Sequence, residues 1–277
     1  MSDHPAYLPI PVGSWRNGAM SAADRNLPEE MPVAILYDGA TYAVMMATPC
    51  DLADFGIGFS LTEGVVADPG HIIDLEVAAH ELGMQVRMWL SDGSSEALEG
   101  RSRRLAGPAG CGLCGIESLA EAARPARPVA LSASLAADAL LAAMAGLAPR
   151  QTMNVATRAT HAAAFWHPRD GFVAVREDVG RHNALDKLVG ALAVRQAASR
   201  DGAVLLTSRV SVEMVQKTAA AGIPVIVAVS APTTLAVRTA RAAGITLVAV
   251  ARSDGFEVFT HPERIVAATR SARRASG

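Results

Sequence analysis

The sequence has few cysteines, no long apolar run and no excess of basic charge. Three cysteines are too few for the disulfide framework of a small secreted domain. No apolar run approaches the ~20 residues that a membrane helix needs, and the first residues lack the basic and hydrophobic segments of a signal peptide. The net charge of -2 gives no basis for non-specific nucleic-acid binding. We therefore expect a cytoplasmic protein that binds neither nucleic acid nor membranes.

The chain is rich in apolar residues. Hydrophobic residues make up 51% of the 277 positions and charged residues 19%, which is sufficient for a packed core and argues against general disorder. The length suits one large domain or two smaller ones. A proline-containing break at residues 124–128 places a boundary near residue 130. We expect an irregular arm over residues 1–28, a hairpin-rich lobe over 29–130 and an α/β domain over 131–277.

The N-terminal lobe carries the pattern of a hairpin followed by a helix. Apolar residues in 32–46 flank Asp38-Gly39, a pair suited to a tight turn with positive φ. Thr48-Pro49 predicts the start of a helix, with Thr48 as its cap and Pro49 in its first turn. Residues 71–77 and 84–90 predict a second pair of strands.

The C-terminal part repeats a succession of strand, polar turn and helix. Helices are predicted over roughly 133–145 and 184–194, and two more are predicted to end at Gly222 and Gly244. Strands are predicted at 160–165, 171–175, 203–206, 224–229 and 245–250. Buried apolar strands that alternate with helices predict an α/β fold, α+β when the N-terminal lobe is included.

The predicted strands of this sheet end in polar residues. Ligands of open α/β sheets bind beyond the carboxyl ends of the strands. Those ends carry Thr207-Ser208-Arg209, Ser230-Ala231-Pro232-Thr233-Thr234 and Arg252-Ser253-Asp254-Gly255. Hydroxyls, arginines and helix N-termini suit a phosphate-bearing ligand. The alternative is that Ser and Thr only cap helices, and both interpretations remain open here.

A CxxC motif, Cys111-Gly112-Leu113-Cys114, lies in a Gly/Pro-rich break just before a helical pattern. A helix N-terminus favours a thiolate, so the pair could bind a metal, cycle between dithiol and disulfide, or carry sulfur as a persulfide. A structural zinc site needs two more ligands, and the chain has no second CxxC or HxxxH-type pair. The PCxxC of zinc deaminases is also lacking, because Pro108 precedes Cys111 by three residues rather than one. A thioredoxin-like site is disfavoured because the motif lies in a mid-chain loop. We therefore expect no resident metal.

Residues 176–183, Arg-Glu-Asp-Val-Gly-Arg-His-Asn, are unusually polar for a turn between apolar elements. Arg176, Arg181, His182 and Asn183 are suited to bind phosphate or a heterocycle, with Asp178 orienting them. The alternative is a salt-bridged turn from strand to helix. Glu213 and Lys217, four residues apart, have the pattern of a solvated helix pair. Cys50 is interpreted as a small buried helix residue.

Several long motifs in one order make the chain resemble the formate dehydrogenase accessory sulfurtransferase family, FdhD, from about residue 30 to 265. The motifs are Met46-Ala47-Thr48-Pro49, Thr62-Glu63-Gly64, Cys111-Gly112-Leu113-Cys114-Gly115, residues 176–187, Ser208-Arg209, Glu213-Met214-Val215, Ala221-Gly222-Ile223-Pro224 and Ser230-Ala231-Pro232-Thr233.

The resemblance implies a function and a fold. Family members accept sulfur from a cysteine desulfurase as a cysteine persulfide. They pass it to the molybdenum or tungsten of the bis-molybdopterin guanine dinucleotide cofactor, which formate dehydrogenase needs. The implied fold is a small N-terminal lobe with a cytidine-deaminase-like three-layer α/β domain, and the implied assembly is a homodimer.

The resemblance also implies residue roles. Cys111 becomes the persulfide carrier and Cys114 its relay or resolving partner. The implied cofactor contacts are Asp178, Gly180, Arg181, His182, Asn183, Ser208, Arg209, Ser230, Ala231, Pro232, Thr233, Val250, Ala251, Arg252, Ser253, Asp254, Gly255 and Phe256. The chain departs from the family before His161, where members commonly have Thr-Gly-Gly and this sequence has Arg158-Ala159-Thr160.

Two classes of function remain open. The first is a sulfurtransferase, which the intact CxxC favours. The second is a non-enzymatic chaperone that binds the molybdenum cofactor and delivers it to formate dehydrogenase without moving sulfur. A redox-active dithiol protein is a more distant third. The sequence leaves open the choice between molybdenum and tungsten and which of Cys111 and Cys114 is loaded first.

Overall fold

The computed structural model describes residues 4–91, 125–130, 134–196 and 201–267. The helices in these ranges are α1 (Leu52–Thr62), α2 (Ala137–Leu147), α3 (Thr152–Thr157), α4 (Arg181–Val194), α5 (Val212–Ala220) and α6 (Thr234–Ala243). The strands are β1 (Tyr7–Arg16), β2 (Ala19–Pro28), β3 (Met31–Tyr37), β4 (Ala40–Ala47), β5 (Ile72–His80), β6 (Gly83–Leu90), β7 (Leu135–Ala136), β8 (His161–His167), β9 (Gly171–Asp178), β10 (Ala203–Leu206), β11 (Val225–Ala228), β12 (Thr246–Arg252), β13 (Gly255–Val258) and β14 (Ile265–Val266). No helix of this part of the chain is both long and apolar enough to cross a membrane.

The largest sheet has the strand order β13-β12-β11-β10-β8-β9. Its centre, β10 to β12, is parallel, and β8, β9 and β13 are antiparallel to their neighbours. Val204 and Leu206 face a cluster formed with α4, α5 and α6, whereas Ala203 and Leu205 face α2. Because helices cover both faces, β10 and β11 are apolar at every position, and the predicted three-layer α/β architecture is confirmed. The kinship with cytidine deaminases stays a prediction.

A second sheet, β4-β3-β6-β5, forms the N-terminal lobe. One of its faces packs on α1 through a core that includes Ile35, Val86, Phe55 and Phe59. The predicted turn at Asp38-Gly39 is confirmed, because both residues have positive φ, 49° and 84°. This geometry matches a two-residue hairpin turn.

The prediction of an irregular arm over residues 1–28 is wrong. β1 and β2 form a regular antiparallel hairpin from Tyr7↔Pro28 to Arg16↔Ala19. Asn17 and Gly18 make its turn, with φ of 51° and 82°. The prolines of β1 had argued against a strand, but an edge strand tolerates proline where the missing N–H would point away from its neighbour.

Two predicted element boundaries are also wrong. Thr48 does not cap α1, since the helix begins at Leu52 after Asp51 in a left-handed conformation, φ 52°. Thr48 instead forms hydrogen bonds to the C-terminal domain. The polar stretch 176–183 is no single turn, because β9 runs to Asp178 and α4 begins at Arg181. Both errors have one cause. Polar groups that the local pattern assigns to a helix cap or a turn form hydrogen bonds with residues distant in sequence.

Helix α1 of the N-terminal lobe packs against α4 of the C-terminal domain, and the two helices are in contact at Gly58 and Gly190. A Cβ on Gly58 would lie 1.7 Å from the carbonyl oxygen of Asp186, and one on Gly190 would lie 1.9 Å from that of Asp54. The helix backbones therefore approach more closely than any side chain would allow. Asp54 also accepts hydrogen bonds from Arg176 of β9, at 2.8 Å to Nε and 2.6 Å to Nη2. The predicted domain boundary near residue 130 stays a prediction.

Alanine at Gly190 should destabilise the protein, although glycine-to-alanine in a helix is normally favourable. The added Cβ collides with backbone, so we expect a loss of about 3 kcal/mol in the free energy of unfolding, measured by urea denaturation. Gly58→Ala should behave alike. Gly255→Ala is the control, because its Cβ would meet no atom within 4 Å. Equal stability of Gly190→Ala and the wild type would contradict the close packing.

Candidate functional site

The polar segments predicted at the strand ends converge on one edge of the large sheet. The parallel strands β10, β11 and β12 all end there. The antiparallel strand β8 begins at the same edge with His161, which pairs with Asp178 at the end of β9. Thr233 N–H donates to Val210 O at 3.0 Å, so the loops after β10 and β11 lie side by side. The strand topology therefore assembles one site from segments far apart in sequence.

Asp178 is completely buried, and its carboxylate is saturated with hydrogen bonds. Oδ2 accepts from the backbone N–H of Thr48 at 3.0 Å and from Lys187 Nζ at 2.7 Å. Oδ1 accepts from the backbone N–H of Gly180 at 2.7 Å and from Asn183 Nδ2 at 3.0 Å. The carboxylate has no remaining capacity for a ligand.

Lys187 and Asn183 extend this network to the loop at residues 46–50. Lys187 Nζ donates to the carbonyl oxygen of Thr48 at 2.9 Å, and Asn183 Nδ2 donates to that of Met46 at 2.8 Å. Asp178 and Asn183 were predicted as cofactor contacts, but these side chains hold the loop against α4. Both side chains thus take part in the internal network around the salt bridge of Asp178 with Lys187, and their contact with the cofactor stays a prediction.

Arg181 and His182 differ from their neighbours, because buried polar atoms of both have no hydrogen-bond partner. The atoms are Arg181 Nε and His182 Nε2, and the hydroxyl of Ser211 shares this property. His182 is only 6% exposed. A buried polar group without a partner is rare in a native protein and indicates a missing ligand or water. We call Arg181, His182, Ser211, His161 and Glu213 the polar cluster.

The polar cluster lies at two helix N-termini that lack side-chain caps. Gly180 precedes α4 and has no side chain, and Ser211 precedes α5 without capping it. The first N–H groups of both helices therefore remain available, and both helix dipoles favour negative charge at this edge. Glu213 Oε2 lies 4.0 Å from His182 Nε2 and adds one carboxylate. The arrangement offers donors for an anionic group and an acceptor for an N–H of a ligand.

Both histidines of the polar cluster are held neutral. Burial, followed by the charge of Arg181, lowers the pKa of His182 to about 3. Burial and Arg181 also lower the pKa of His161. A neutral imidazole has one donor and one acceptor nitrogen, so it can bind a polar ligand without adding charge.

The loops after β10 and β11 contribute the predicted hydroxyl groups in different ways. Ser208 is buried, and its hydroxyl donates to the carbonyl oxygen of Arg209 at 3.1 Å, whereas the side chain of Arg209 is exposed. Thr233 Oγ1 caps α6 by accepting from Ala236 N–H at 3.1 Å. The capping interpretation is therefore correct for Thr233. Ser230, Ala231 and Pro232 lie half-buried or exposed along the same edge.

The end of β12 is strained at Val250. This β-branched residue has a φ of 54°, at a shift in the β12–β13 register between Ala249 and Arg252. Such a conformation costs on the order of 1–3 kcal/mol and persists only where the surroundings enforce it. Arg252 Nη1 donates to the carbonyl oxygens of Ala251 and Val229 and so fixes the end of β12 to that of β11. Ser253 and Asp254 are exposed at the turn, and Gly255 and Phe256 begin β13.

The interpretation of Lys217 as part of a solvated pair with Glu213 is wrong. Lys217 is buried, and its Nζ lies 2.7 Å from Glu63 Oε1 and 3.0 Å from both carboxylate oxygens of Asp186. Burial alone would lower the pKa of Lys217, but Asp186 and Glu63 raise it above its ordinary value. Burial raises the pKa of Asp186 to about 6. Lys217 lies three residues after the buried Met214 and therefore on the same face of α5. This spacing is the sequence feature that indicates burial of Lys217.

Ser211 and Glu213 were not predicted as site residues. Ser211 directly precedes the apolar face of α5, which is the usual position of a capping serine. Its partnerless hydroxyl distinguishes it from a cap, and no local sequence pattern reveals that difference.

The departure from the family before His161 has a structural account. Arg158 adopts a left-handed conformation, φ 59°, at the end of α3. Thr160 Oγ1 donates to Glu177 Oε1 at 3.2 Å. Glu177 also accepts from the backbone N–H groups of Met153 and Asn154, both at 2.8 Å. The Thr160 side chain is thus accommodated by the same carboxylate that holds the start of α3.

The predicted carriers Cys111 and Cys114 lie outside the described residues. Cys50 is half-buried, with Sγ 3.9 Å from Lys187 Nζ, and lies before α1 rather than within it. Burial raises the pKa of the Cys50 thiol. Among the residues that the structure describes, no group of three or more His, Cys, Asp or Glu side chains is placed to hold a metal ion.

The lowered pKa of His182 predicts a specific acid sensitivity. The unfolded chain takes up a proton on histidine near pH 6.5, whereas folded His182 does so near pH 3. Its contribution to stability is therefore present above pH 6.5 and lost as pH falls toward 3. From pH 7 to 5, His182→Asn should lose about 2 kcal/mol less stability than the wild type, measured by urea unfolding.

His80→Asn, at an exposed position, is the control for this experiment and should keep the wild-type pH dependence. The raised pKa of Asp186 changes stability with pH in the opposite direction. This effect cancels when the variant is compared with the wild type, because both proteins retain Asp186. If the free energy of unfolding of His182→Asn fell with pH as steeply as that of the wild type, His182 would not be held neutral.

Comparisons with known proteins agree with the site's sequence motifs. The model of the FdhD/NarQ family matches residues 28–266. The sulfur carrier protein FdhD of Agrobacterium fabrum is 48% identical over 262 residues, which cover 94% of this chain and 97% of that protein. The sulfur carrier protein FdhD of Brucella abortus biovar 1 is 55% identical over 252 residues, 91% of this chain and 94% of that protein.

A solved structure is also similar to this chain over almost its whole length. The crystal structure of a formate dehydrogenase accessory protein from Desulfotalea psychrophila aligns with a TM-score of 0.76 and 26% identity. The alignment covers 95% of this chain and 100% of that chain. The family resemblance expected from the motifs is thereby confirmed, and the chain belongs to the FdhD/NarQ family.

Proposed function

We propose that this protein is a sulfurtransferase that carries sulfur as a cysteine persulfide and passes it to the metal of bis-molybdopterin guanine dinucleotide for formate dehydrogenase. The names of its relatives, sulfur carrier proteins and a formate dehydrogenase accessory protein, support the general role. The observation that carries the cofactor part is the group of partnerless buried atoms on Arg181, His182 and Ser211.

The chemistry of the polar cluster fits the guanosine diphosphate ends of this substrate. The uncapped N-termini of α4 and α5, together with Arg181, suit phosphate oxygens. The carboxylate of Glu213 is an acceptor suited to the N–H groups of a guanine edge. The neutral ring of His182 can donate to or accept from the same ligand without repelling a positive or negative group.

The strained end of β12 supports the same assignment. Strain of the kind seen at Val250 is concentrated at ligand-binding and catalytic sites. The turn that follows presents Ser253 and Asp254 to solvent beside the loops after β10 and β11. These residues are proposed to contact the dinucleotide, whereas Asp178 and Asn183 are proposed to position Arg181 and His182.

The sulfur chemistry is assigned to Cys111 and Cys114. The Cys111 thiolate attacks the outer sulfur of the desulfurase persulfide, and the desulfurase cysteine leaves as a thiolate. The Cys114 thiolate then attacks the Cys111 sulfur and releases the outer sulfur as hydrosulfide to the substrate's metal. A Cys111–Cys114 disulfide forms, and a thiol reductant restores both thiols with two electrons and two protons.

The surroundings of Cys50 argue against this role. The thiolate is the nucleophile in persulfide exchange, and burial raises the pKa of Cys50. Its position beside Lys187 and the loop at residues 46–50 instead makes it part of the packing between the lobe and the domain.

Persulfide loading can be tested directly by mass spectrometry after incubation with a cysteine desulfurase and free cysteine. We expect a gain of one sulfur atom on the peptide that holds Cys111, reversed by a reductant. Cys111→Ala should abolish the gain, because it removes the attacking thiolate. Cys114→Ala should keep the sulfur longer, because discharge as hydrosulfide needs the second thiol.

Cys50→Ala is the control for this experiment and should load like the wild type. If an active desulfurase loads no sulfur on the wild type, the sulfurtransferase proposal fails and the cofactor chaperone becomes the better account. Loading on Cys50 instead of Cys111 would contradict the assignment of the carrier.

Nucleotide binding can be tested separately by isothermal titration with GDP, which reproduces the guanosine diphosphate ends of the substrate. Arg181→Ala should raise the Kd at least tenfold, because a charge-assisted hydrogen bond contributes about 1.5–3 kcal/mol. Ser211→Ala should have a smaller effect in the same direction. Arg238→Ala, an exposed arginine of α6, is the control and should bind like the wild type. Unchanged GDP binding by Arg181→Ala would remove the polar cluster from the substrate site.

A further inference from the structure

Helices α4 and α5 face each other through two pairs of polar side chains. The outer pair is His182 of α4 and Glu213 of α5, with 4.0 Å between Nε2 and Oε2. The inner pair is Asp186 of α4 and Lys217 of α5, with Lys217 Nζ 3.0 Å from both carboxylate oxygens. Residues four apart lie on the same face of a helix, so the inner pair is one turn further from the helix N-termini than the outer pair.

The inner pair is held by contacts from three elements. Both side chains are buried, with Asp186 1% and Lys217 6% exposed. Asp186 Oδ1 accepts a hydrogen bond from Thr62 Oγ1 at 2.6 Å, and Lys217 Nζ donates to Glu63 Oε1 at 2.7 Å. Lys217 Nζ is therefore fixed between α4 and the end of α1, and α5, which carries Lys217, must match that position.

The outer pair has no comparable restraint. In the described part of the chain His182 Nε2 has no hydrogen-bond partner, and 4.0 Å to Glu213 is too long for a hydrogen bond. His182 is neutral, because burial and Arg181 lower its pKa to about 3, so no ionic attraction joins it to Glu213. The relative position of these two side chains must therefore be set elsewhere in the helix pair.

Apolar packing alone does not specify that position. Leu185 and Leu188 of α4 share one buried core with Met214 and Val215 of α5. Hydrophobic contacts are non-directional, and repacked cores lose a unique arrangement before they lose stability.

The ion pair of Lys217 is directional. If Nζ moved with α5 along α4 by one residue, ~1.5 Å, at least one of its 2.7–3.0 Å contacts would exceed the usual length of a hydrogen bond. Buried polar groups are known to specify the register of packed helices. The inner pair is therefore suited to fix the outer one.

We propose that Lys217 is a positioning residue of the polar cluster: by binding both carboxylate oxygens of Asp186, it sets the register of α5 against α4. This register brings Glu213 opposite His182, so that both side chains can meet the same guanine. The proposal rests on the proposed function, because the ligand concerned is the guanosine diphosphate end of the substrate. Lys217 itself does not touch the ligand.

A purely stabilising role does not account for these buried charges. Replacing a buried ion pair by apolar residues of similar volume is often neutral or stabilising, whereas removing one partner leaves an unpaired buried charge. The side chain of Glu63 is 34% exposed and can be hydrated when Lys217 is lost. The double variant Lys217→Met/Asp186→Leu should therefore keep the fold and lose the directional link between the helices.

Base selectivity tests the proposal, measured by isothermal titration as the ratio of the Kd of inosine diphosphate to that of GDP. Hypoxanthine lacks only the 2-amino group of guanine, so the ratio reports the hydrogen bond from that group to a correctly placed Glu213. We expect a ratio of about ten for the wild type, near one for Glu213→Ala and about three or less for Lys217→Met/Asp186→Leu. Partial unfolding would weaken the binding of both nucleotides equally and leave the ratio unchanged.

Arg87→Met/Glu76→Leu is the matched control, because it removes an exposed salt bridge of the N-terminal lobe and should keep the wild-type ratio. Wild-type selectivity in Lys217→Met/Asp186→Leu would overturn the positioning role and leave the proposed function intact. A wild type that does not bind GDP would instead overturn the proposed function, and the positioning role with it.

Asp186→Asn decides if urea denaturation shows that the double variant does not fold. Asparagine keeps the shape of the side chain and one acceptor oxygen, but it cannot bind Lys217 through two oxygens. A ratio below that of the wild type would support the positioning role of Lys217, and an unchanged ratio would overturn it.

Discussion

The carboxylate of Asp178 receives four hydrogen bonds without any contact with solvent, and both parts of the molecule depend on it. Its partners come from the loop before α1, from the turn after β9 and from α4. A buried carboxylate is tolerable only when it is paired and fully hydrogen-bonded, because removing one partner of a buried pair costs roughly 3–5 kcal/mol. The hydrogen bonds of Asp178 and Lys187 to Thr48 therefore fix the relative position of the N-terminal lobe and α4.

Two residues of the polar cluster, Arg181 and His182, lie within the same short segment as this saturated network. Asp178 and Asn183 have internal partners, whereas Arg181 and His182, between them in sequence, retain buried atoms without partners. Asp178 and Asn183 hold Arg181 and His182 in place, which is the usual requirement for a preorganised binding site. The energy that the protein loses by leaving donors unpaired can be recovered when a ligand binds there.

The sequence predicts those features that depend on local chemistry. The Asp38-Gly39 hairpin and the apolar strands of the large sheet follow from turn residues and from burial on both faces. A similar turn pair is present at Asn17-Gly18, but residues 1–28, which contain several prolines and glycines, were predicted as an irregular arm. Lys217 was misassigned because Glu213 is its neighbour on the helix surface, whereas its actual partners, Asp186 and Glu63, are remote in sequence. Arg181 and His182 were predicted from composition, but the lack of internal partners that singles them out is a tertiary property.

The hydrogen bonds of Asp178 and Asn183 to the loop at residues 46–50 also determine when the site can exist during synthesis. The bond between Thr48 and Asp178 spans 130 residues, and the bond between Met46 and Asn183 spans 137. Contacts of such long range form only after the intervening chain has been made, and they slow folding because loop closure must precede them. A ribosome-bound chain that has not yet released α4 can form the first hairpins of the lobe, but it cannot present Arg181 and His182. The polar cluster can therefore form only after the chain has been synthesised past Glu213.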